Sequence, residues 1–125
     1  MGTKANEFFV EAVEKLNEAK KELYKPEEDL VTYSVCKNSQ HAIEKFLKGY
    51  LLKNGVDIED CNTIDCLYKR CIAINKNFKK VDLSDLQCKS HNLDSRFCNE
   101  ISKVSNCFEV ADSLDTFFRQ EKIIN

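Results

Sequence analysis

The scarcity of glycine and proline is the feature that most limits what this chain can fold into. Among 125 residues there are only 3 Gly and 1 Pro. A β-sandwich or β-barrel needs many short strands separated by turns, and Gly and Pro are prominent in such turns. So few of these residues cannot separate many strands, and we therefore predict a chain that is mostly α-helical.

Length and charge limit the domain organisation and the classes of partner. A chain of 125 residues is long enough for one ordinary hydrophobic core, so we predict a single domain over residues 1–125. The net charge of −2 argues against nucleic-acid or membrane binding driven by overall charge. No apolar stretch has the length of a secretion signal or a membrane span. We therefore expect a cytoplasmic protein that does not bind membranes.

The cysteines favour a reduced protein without a metal. Their number is 7, which is odd, and no secretion signal accompanies them, so we predict no structural disulfide. Cys61, Cys66 and Cys71 recur every five residues, which is not the spacing of known zinc sites. Cys88 and His91 could share a helix face, but free cysteines are more often small buried side chains. We expect neither a metal nor a cofactor.

Apolar residues recur at helical spacing in several segments of the chain. The predicted helices cover residues 6–24, 28–53, 62–75, 82–91 and 106–122, with Asn62 and Asn106 as N-caps. Residues 75–81 are predicted to form a polar connector and residues 92–105 an irregular stretch. The fold class that follows is all-α, an up-and-down four-helix bundle with an additional short fifth helix. The predicted core contains Phe9, Val13, Leu16, Ile43, Phe46, Leu47, Tyr50, Leu67, Leu114 and Phe117.

The second predicted helix carries a recognisable pattern. Residues 39–52 read SQHAIEKFLKGYLL, which resembles the helix-two signature of HEPN domains, where a Gln-rich start leads into Ala-x-Glu-Lys-x-Leu-Lys and an apolar end. The segment Asn54-Gly55-Val56 resembles the turn after that helix. Arg96 lies in a segment that resembles the family's Arg-Tyr-Pro sequence after helix four, with Phe97 for Tyr and Cys98 for Pro. The resemblance covers nearly the whole chain.

The resemblance to HEPN domains implies an up-and-down helical bundle that is often a dimer. It also implies two kinds of activity. Many members act with a small nucleotidyltransferase encoded alongside, and many others are metal-independent ribonucleases of toxin–antitoxin and defence systems. The ribonucleases carry an Arg followed by a His after four to six intervening residues, because the imidazole transfers protons and the guanidinium holds phosphate.

This chain lacks that ribonuclease motif. None of Arg70, Arg96 and Arg119 is followed by a His at the required distance. The sequence therefore resembles the non-catalytic, binding branch of the family.

A binding groove is predicted between the second helix and the segment after the fourth. Its candidate residues are Gln40, His41, Glu44, Lys45, Lys48 and Arg96. Arg96 would hold a phosphate or a partner's carboxylate with its planar fork, and a lysine would add a point charge. The alternative for the lysines and Glu44 is a solvated helix face, and the alternative for Arg96 is a structural contact with Asp94 or with helix-end carbonyls.

Three functions are compatible with these observations. The first is a HEPN-like binding module, forming a homodimer and binding a nucleotide, RNA or a partner protein such as a nucleotidyltransferase. The second is a metal-independent ribonuclease in which folding brings Arg96 to His91 or His41. The third is a purely structural helical subunit.

Overall fold

The computed structural model describes residues 2–26, 32–61, 63–81 and 101–124, and the fold is all-α. Four α-helices and one 3-10 helix are present in these ranges. We number the α-helices α1 (Gly2–Leu23), α2 (Thr32–Lys53), α3 (Ile64–Ile74) and α4 (Ile101–Gln120), and the 3-10 helix covers Lys76–Lys80. The predicted fourth helix, residues 82–91, lies outside the described residues.

Helix α2 is the centre of the bundle, since it packs against α1, α3 and α4. The contact with α1 is close at Gly49, where a Cβ atom would lie 2.6 Å from Cε1 of Phe9 and 3.2 Å from the carbonyl oxygen of Ala5. Only glycine permits this approach. The predicted core is confirmed: nine of its ten residues are buried, and the tenth, Val13, is partly buried against the same cluster.

An aromatic cluster fills the space between the helices. The ring of Phe118 on α4 lies 5.1 Å from that of Phe46 and 5.7 Å from that of Phe9, measured between centroids. Phe78 of the 3-10 helix adds a further buried ring, 4.7 Å from Tyr50. Aromatic rings at these separations and inclined to one another interact favourably beyond their burial. The cluster joins α1, α2, α4 and the 3-10 helix into one core.

The predicted polar connector is wrong as a description of residues 76–80, which form the 3-10 helix. Asn75 caps its start, since its side-chain oxygen accepts a hydrogen bond from the backbone N–H of Asn77. The Tyr68 hydroxyl lies 2.8 Å from the carbonyl oxygen of Val81 and 3.1 Å from that of Phe78, and so fixes the segment to α3. The lysines of this segment favour a solvent-exposed connector, but the buried side chain of Phe78 between them packs the segment against the core.

Two predicted N-caps are also wrong. The cap of α3 is Thr63, whose side-chain oxygen accepts a hydrogen bond from the N–H of Cys66, and Asn62 lies outside the described residues. Asn106 lies inside α4, which already begins at Ile101, so residues 101–105 are helical rather than irregular. Ser, Thr, Asn and Asp are common both at caps and beside them, so the pattern alone does not fix the first residue of a helix.

Helices α2 and α4 each end in a left-handed turn. After α2, Gly55 has a φ of 75°, and the N–H of Val56 donates to the carbonyl of Leu51, as the sequence Asn54-Gly55 predicts. After α4, Lys122 adopts a φ of 60°, and the N–H of Ile123 donates to the carbonyl of Phe118. This second turn carries Ile123 and Ile124 back against the bundle, where they pack on the core.

The prediction of no structural disulfide is wrong, because Cys61 and Cys66 are joined. Cys61 precedes α3 and Cys66 lies in its first turn, so the start of the helix brings their Cα atoms to 5.7 Å. The prediction rested on the odd number of cysteines and on the lack of a secretion signal, and neither excludes a bond between two cysteines that the fold brings together. Three other cysteines, Cys36, Cys71 and Cys107, are buried as small core residues, and burial raises the pKa of the Cys71 thiol to about 12.

Candidate functional site

Three of the predicted site residues meet on one side of α2. The Nδ1 atom of His41 lies 3.5 Å from one carboxylate oxygen of Glu44, and Nζ of Lys48 lies 3.0 Å from the other. The helical spacing of three and four residues places these side chains on successive turns. Glu44 is 6% exposed, whereas His41 and Lys48 are partly exposed. We call His41, Glu44 and Lys48 the α2 triad.

The electrostatics of the α2 triad centre on the Glu44 carboxylate. Burial acts to raise its pKa, but the hydrogen bonds from His41 and Lys48 act more strongly together, and the pKa of Glu44 is lowered from its ordinary value. The carboxylate is therefore ionised at neutral pH and matched by its neighbours. The triad holds charge inside the protein and presents little unmatched charge to a ligand.

We expect Glu44→Gln to lower stability at pH 7 by about 1.5 to 3 kcal/mol, the usual range for a hydrogen bond to a charged group. A carboxyl group whose pKa is lower in the folded than in the unfolded state stabilises the fold at pH values above its unfolded-state pKa. That stabilisation is lost as the pH falls through the folded-state pKa. The difference between wild type and variant should therefore shrink between pH 7 and pH 3, as measured by urea unfolding. Glu59→Gln, at an exposed loop position, is the matched control. An equal difference at both pH values would contradict the assignment.

Lys45 is oriented differently from the triad. Its Nζ atom lies 3.1 Å from a carboxylate oxygen of Glu11 on α1 and 5.0 Å from the centroid of the Phe8 ring. Both contacts are with α1, so Lys45 takes part in the packing of α1 on α2. A cation above an aromatic face adds a modest attraction to such an ion pair.

Gln40 is a core residue rather than the wall of a groove. It is 0% exposed, and its side-chain nitrogen donates a hydrogen bond to Sγ of Cys36 at 3.0 Å. Its side-chain oxygen and the hydroxyl of the neighbouring Ser39, also 0% exposed, have no hydrogen-bond partner in the part of the chain that the structure describes. Arg96, the remaining candidate, lies outside the described residues, as do Cys88 and His91.

The two arginines in the described ranges are held by aspartates. Arg70 donates to the carbonyl oxygen of Asp57 at 2.8 Å and pairs with Asp60 at 3.0 Å, which anchors the loop before α3. Arg119 pairs through Nε with Asp115 at 2.9 Å, and this hydrogen bond raises the pKa of its guanidinium. Arg70 therefore anchors a loop, whereas the pair of Arg119 lies within α4.

Sequence reasoning missed a groove between α1 and the end of α4. Its volume is about 490 Å³, and a second depression of about 400 Å³ adjoins it and shares Asn6 and Val10. We call the larger one the α1 groove; it is lined by Asn6, Phe9, Val10, Val13, Glu14, Arg119, Ile123 and Ile124. The signal in the sequence is Val10, which lies outside the apolar stripe of α1 and is 58% exposed.

Clusters of metal-ligating side chains and membrane-spanning helices were sought in the part of the chain that the structure describes. In the ranges given above, no three His, Cys, Asp or Glu side chains are grouped as metal ligands. Within the same ranges, none of the helices combines the length and the apolarity needed to cross a membrane.

Comparison with known proteins identifies one related family. The model of the HEPN domain matches residues 5–97 of this chain. No curated protein and no solved structure gives a significant match. The matched range contains most of α1 and all of α2, α3 and the 3-10 helix, and so includes the α2 triad.

Proposed function

Because the chain belongs to the HEPN domain family, we propose that it is a non-catalytic member, a helical module that binds a partner protein instead of cleaving RNA. The observation that carries this proposal is the absence of an Arg followed by a His after four to six residues anywhere in the chain. Proton transfer at neutral pH needs a suitable group such as an imidazole beside the phosphate, and this chain has only 2 His.

The contacts of the described residues support the same proposal. His41 lies against the Glu44 carboxylate, while Arg70 and Arg119 are held by aspartates. Lys45 and Lys48 are each matched by a glutamate. A nucleotide or RNA would need cations that are available to its phosphates, so at this face of α2 these pairs favour a protein partner over a nucleotide.

The partner that we propose is a nucleotidyltransferase of the kind that acts beside HEPN domains in toxin–antitoxin and defence systems. We also propose that the chain forms a homodimer. The predicted groove is retained in this proposal only at its partly exposed residues His41 and Lys48 and at Arg96, whose fork would pair with a carboxylate of the partner.

The test is to read the genes that flank this one and to co-express the chain with their products. We expect a nucleotidyltransferase gene there, and a purified complex that contains both proteins and two copies of this chain by light scattering. A neighbour of another class, or two proteins that elute separately, would contradict the pairing. A single copy of the chain in solution at micromolar concentration would contradict the homodimer.

A further inference from the structure

An apolar surface lies open along the first turns of α1. Val10 is 58% exposed, and Val13, Ile123 and Ile124 are only partly buried. Ile123 and Ile124 line the α1 groove because the left-handed turn at Lys122 directs the chain back toward α1. Val10 lines both depressions and is not buried in the core, so its side chain is available to contact an apolar group of a partner.

Exposed acidic side chains line both depressions, Glu14 in the α1 groove and Glu7 in the depression that adjoins it. Neither forms an ion pair within the described ranges. Arg119 also lines the α1 groove, but it pairs with Asp115, and the nearby Lys45 pairs with Glu11. Lys4 is exposed one turn before Glu7 and lines neither depression.

An apolar groove with an acidic rim fits one kind of partner surface. Amphipathic helices dock into such grooves through apolar side chains at positions i, i+3 or i+4, and i+7. The stretch of α1 from Asn6 to Glu14 spans roughly 12 Å, or about two helical turns, which matches that spacing. A basic flank on the docking helix would meet Glu7 and Glu14.

We infer that the α1 groove binds an amphipathic helix of a partner protein, with apolar anchors flanked by Lys or Arg. This inference rests on the proposed binding function and adds the chemistry of the partner. A second copy of this chain fits the surface poorly, because two acidic rims would then face each other and like charges across an interface are unfavourable. A homodimer would therefore use other faces.

The probe is a fluorescently labelled helical peptide with Leu at positions i, i+3 and i+7 and Lys at the flanking positions. A second peptide of the same length carries Glu in place of every Lys. Fluorescence anisotropy with the full chain should detect micromolar binding of the Lys peptide and at least tenfold weaker binding of the Glu peptide. Binding of the Lys peptide should weaken between 0.05 and 0.5 M salt. Equal binding of both peptides would overturn the inference.

Three variants test whether the peptide binds at this surface. Val10→Glu should reduce the affinity for the Lys peptide at least tenfold, whereas Tyr24→Glu should leave it unchanged. Tyr24 is the matched control because it is 74% exposed and directly follows the opposite end of α1. The double variant Glu7→Lys/Glu14→Lys should reverse the preference and bind the Glu peptide more tightly. Because all four positions are exposed, each variant should keep the wild-type helical circular dichroism spectrum.

The outcomes separate this inference from the proposed function. The chain could form a complex with its nucleotidyltransferase partner that survives Val10→Glu. That result would overturn the inference that the partner binds in the α1 groove, and would leave the proposed binding function intact. A wild-type dimer that dissociates on Val10→Glu would show that a second copy occupies the groove, and would overturn the inference as well. A dimer unaffected by Val10→Glu supports it.

Discussion

Phe118→Ala should destabilise the protein by about 3 to 5 kcal/mol, the usual cost of truncating a buried phenylalanine. Phe118 is 0% exposed, and its ring neighbours those of Phe9, Phe46, Tyr50 and Phe78 at centroid separations of 5.1 to 6.0 Å. These rings come from three other elements, and they cannot all collapse into the cavity that the substitution leaves. The loss is a large share of the 5 to 15 kcal/mol typical of a domain.

The measurement is urea unfolding followed by circular dichroism. Phe108→Ala is the control, since Phe108 lies on the same helix and is only partly buried against the core. It should cost clearly less than Phe118→Ala. A loss below about 1 kcal/mol for Phe118→Ala would mean that the aromatic cluster does not hold α4 to the bundle, because a fully buried ring cannot be removed so cheaply.

Gly49→Val should destabilise the protein by about 1 to 3 kcal/mol, the typical range for overpacking a core. Elsewhere in a helix, replacing glycine usually stabilises, because glycine is a poor helix former. Here a Cβ atom would lie 2.6 Å and 2.8 Å from Cε1 and Cδ1 of Phe9, whose side chain is itself buried. Steric conflict between α1 and α2 should therefore outweigh the gain in helix propensity.

A double-mutant cycle isolates that conflict. Phe9→Ala removes both ring atoms that would meet the new Cβ atom, so Gly49→Ala should cost less in the Phe9→Ala background than in the wild type. Unfolding of the four proteins in urea gives the coupling free energy. Additive effects would show that Phe9 is not the obstacle, and a stabilising Gly49→Ala in the wild type would show that α1 and α2 are not so closely packed.

The helical fold followed from local patterns in the sequence. Phe46 and Leu47 recur with their neighbours at helical spacing, and Gly55 stops α2 with the hydrogen bonds expected of its sequence. These features depend on residues within a few turns of each other. The predicted Asn106 cap was wrong for the same reason: a local pattern fits a helix interior as well as a helix start.

The rest depended on contacts between distant parts of the chain. Phe78 lies among lysines, and only its packing against Tyr50 and Phe118 reveals it as core. The spacing of Lys45 and Lys48 places them on one side of α2, but Lys45 pairs with Glu11 of α1 and Lys48 pairs with Glu44 of α2. Spacing along a helix identifies which residues share a face, and it does not identify which partner each one meets.

Incubation of the purified chain with a tRNA mixture is the most direct test of a binding module without ribonuclease activity. EDTA in the reaction removes metal-dependent contaminating nucleases, and the His41→Ala and His91→Ala variants are purified in parallel. The expected result is intact tRNA on a denaturing gel with the wild type and both variants. Time-dependent cleavage by the wild type that is lost in His91→Ala or in His41→Ala would contradict a non-catalytic function and assign the chain to the ribonucleases of its family.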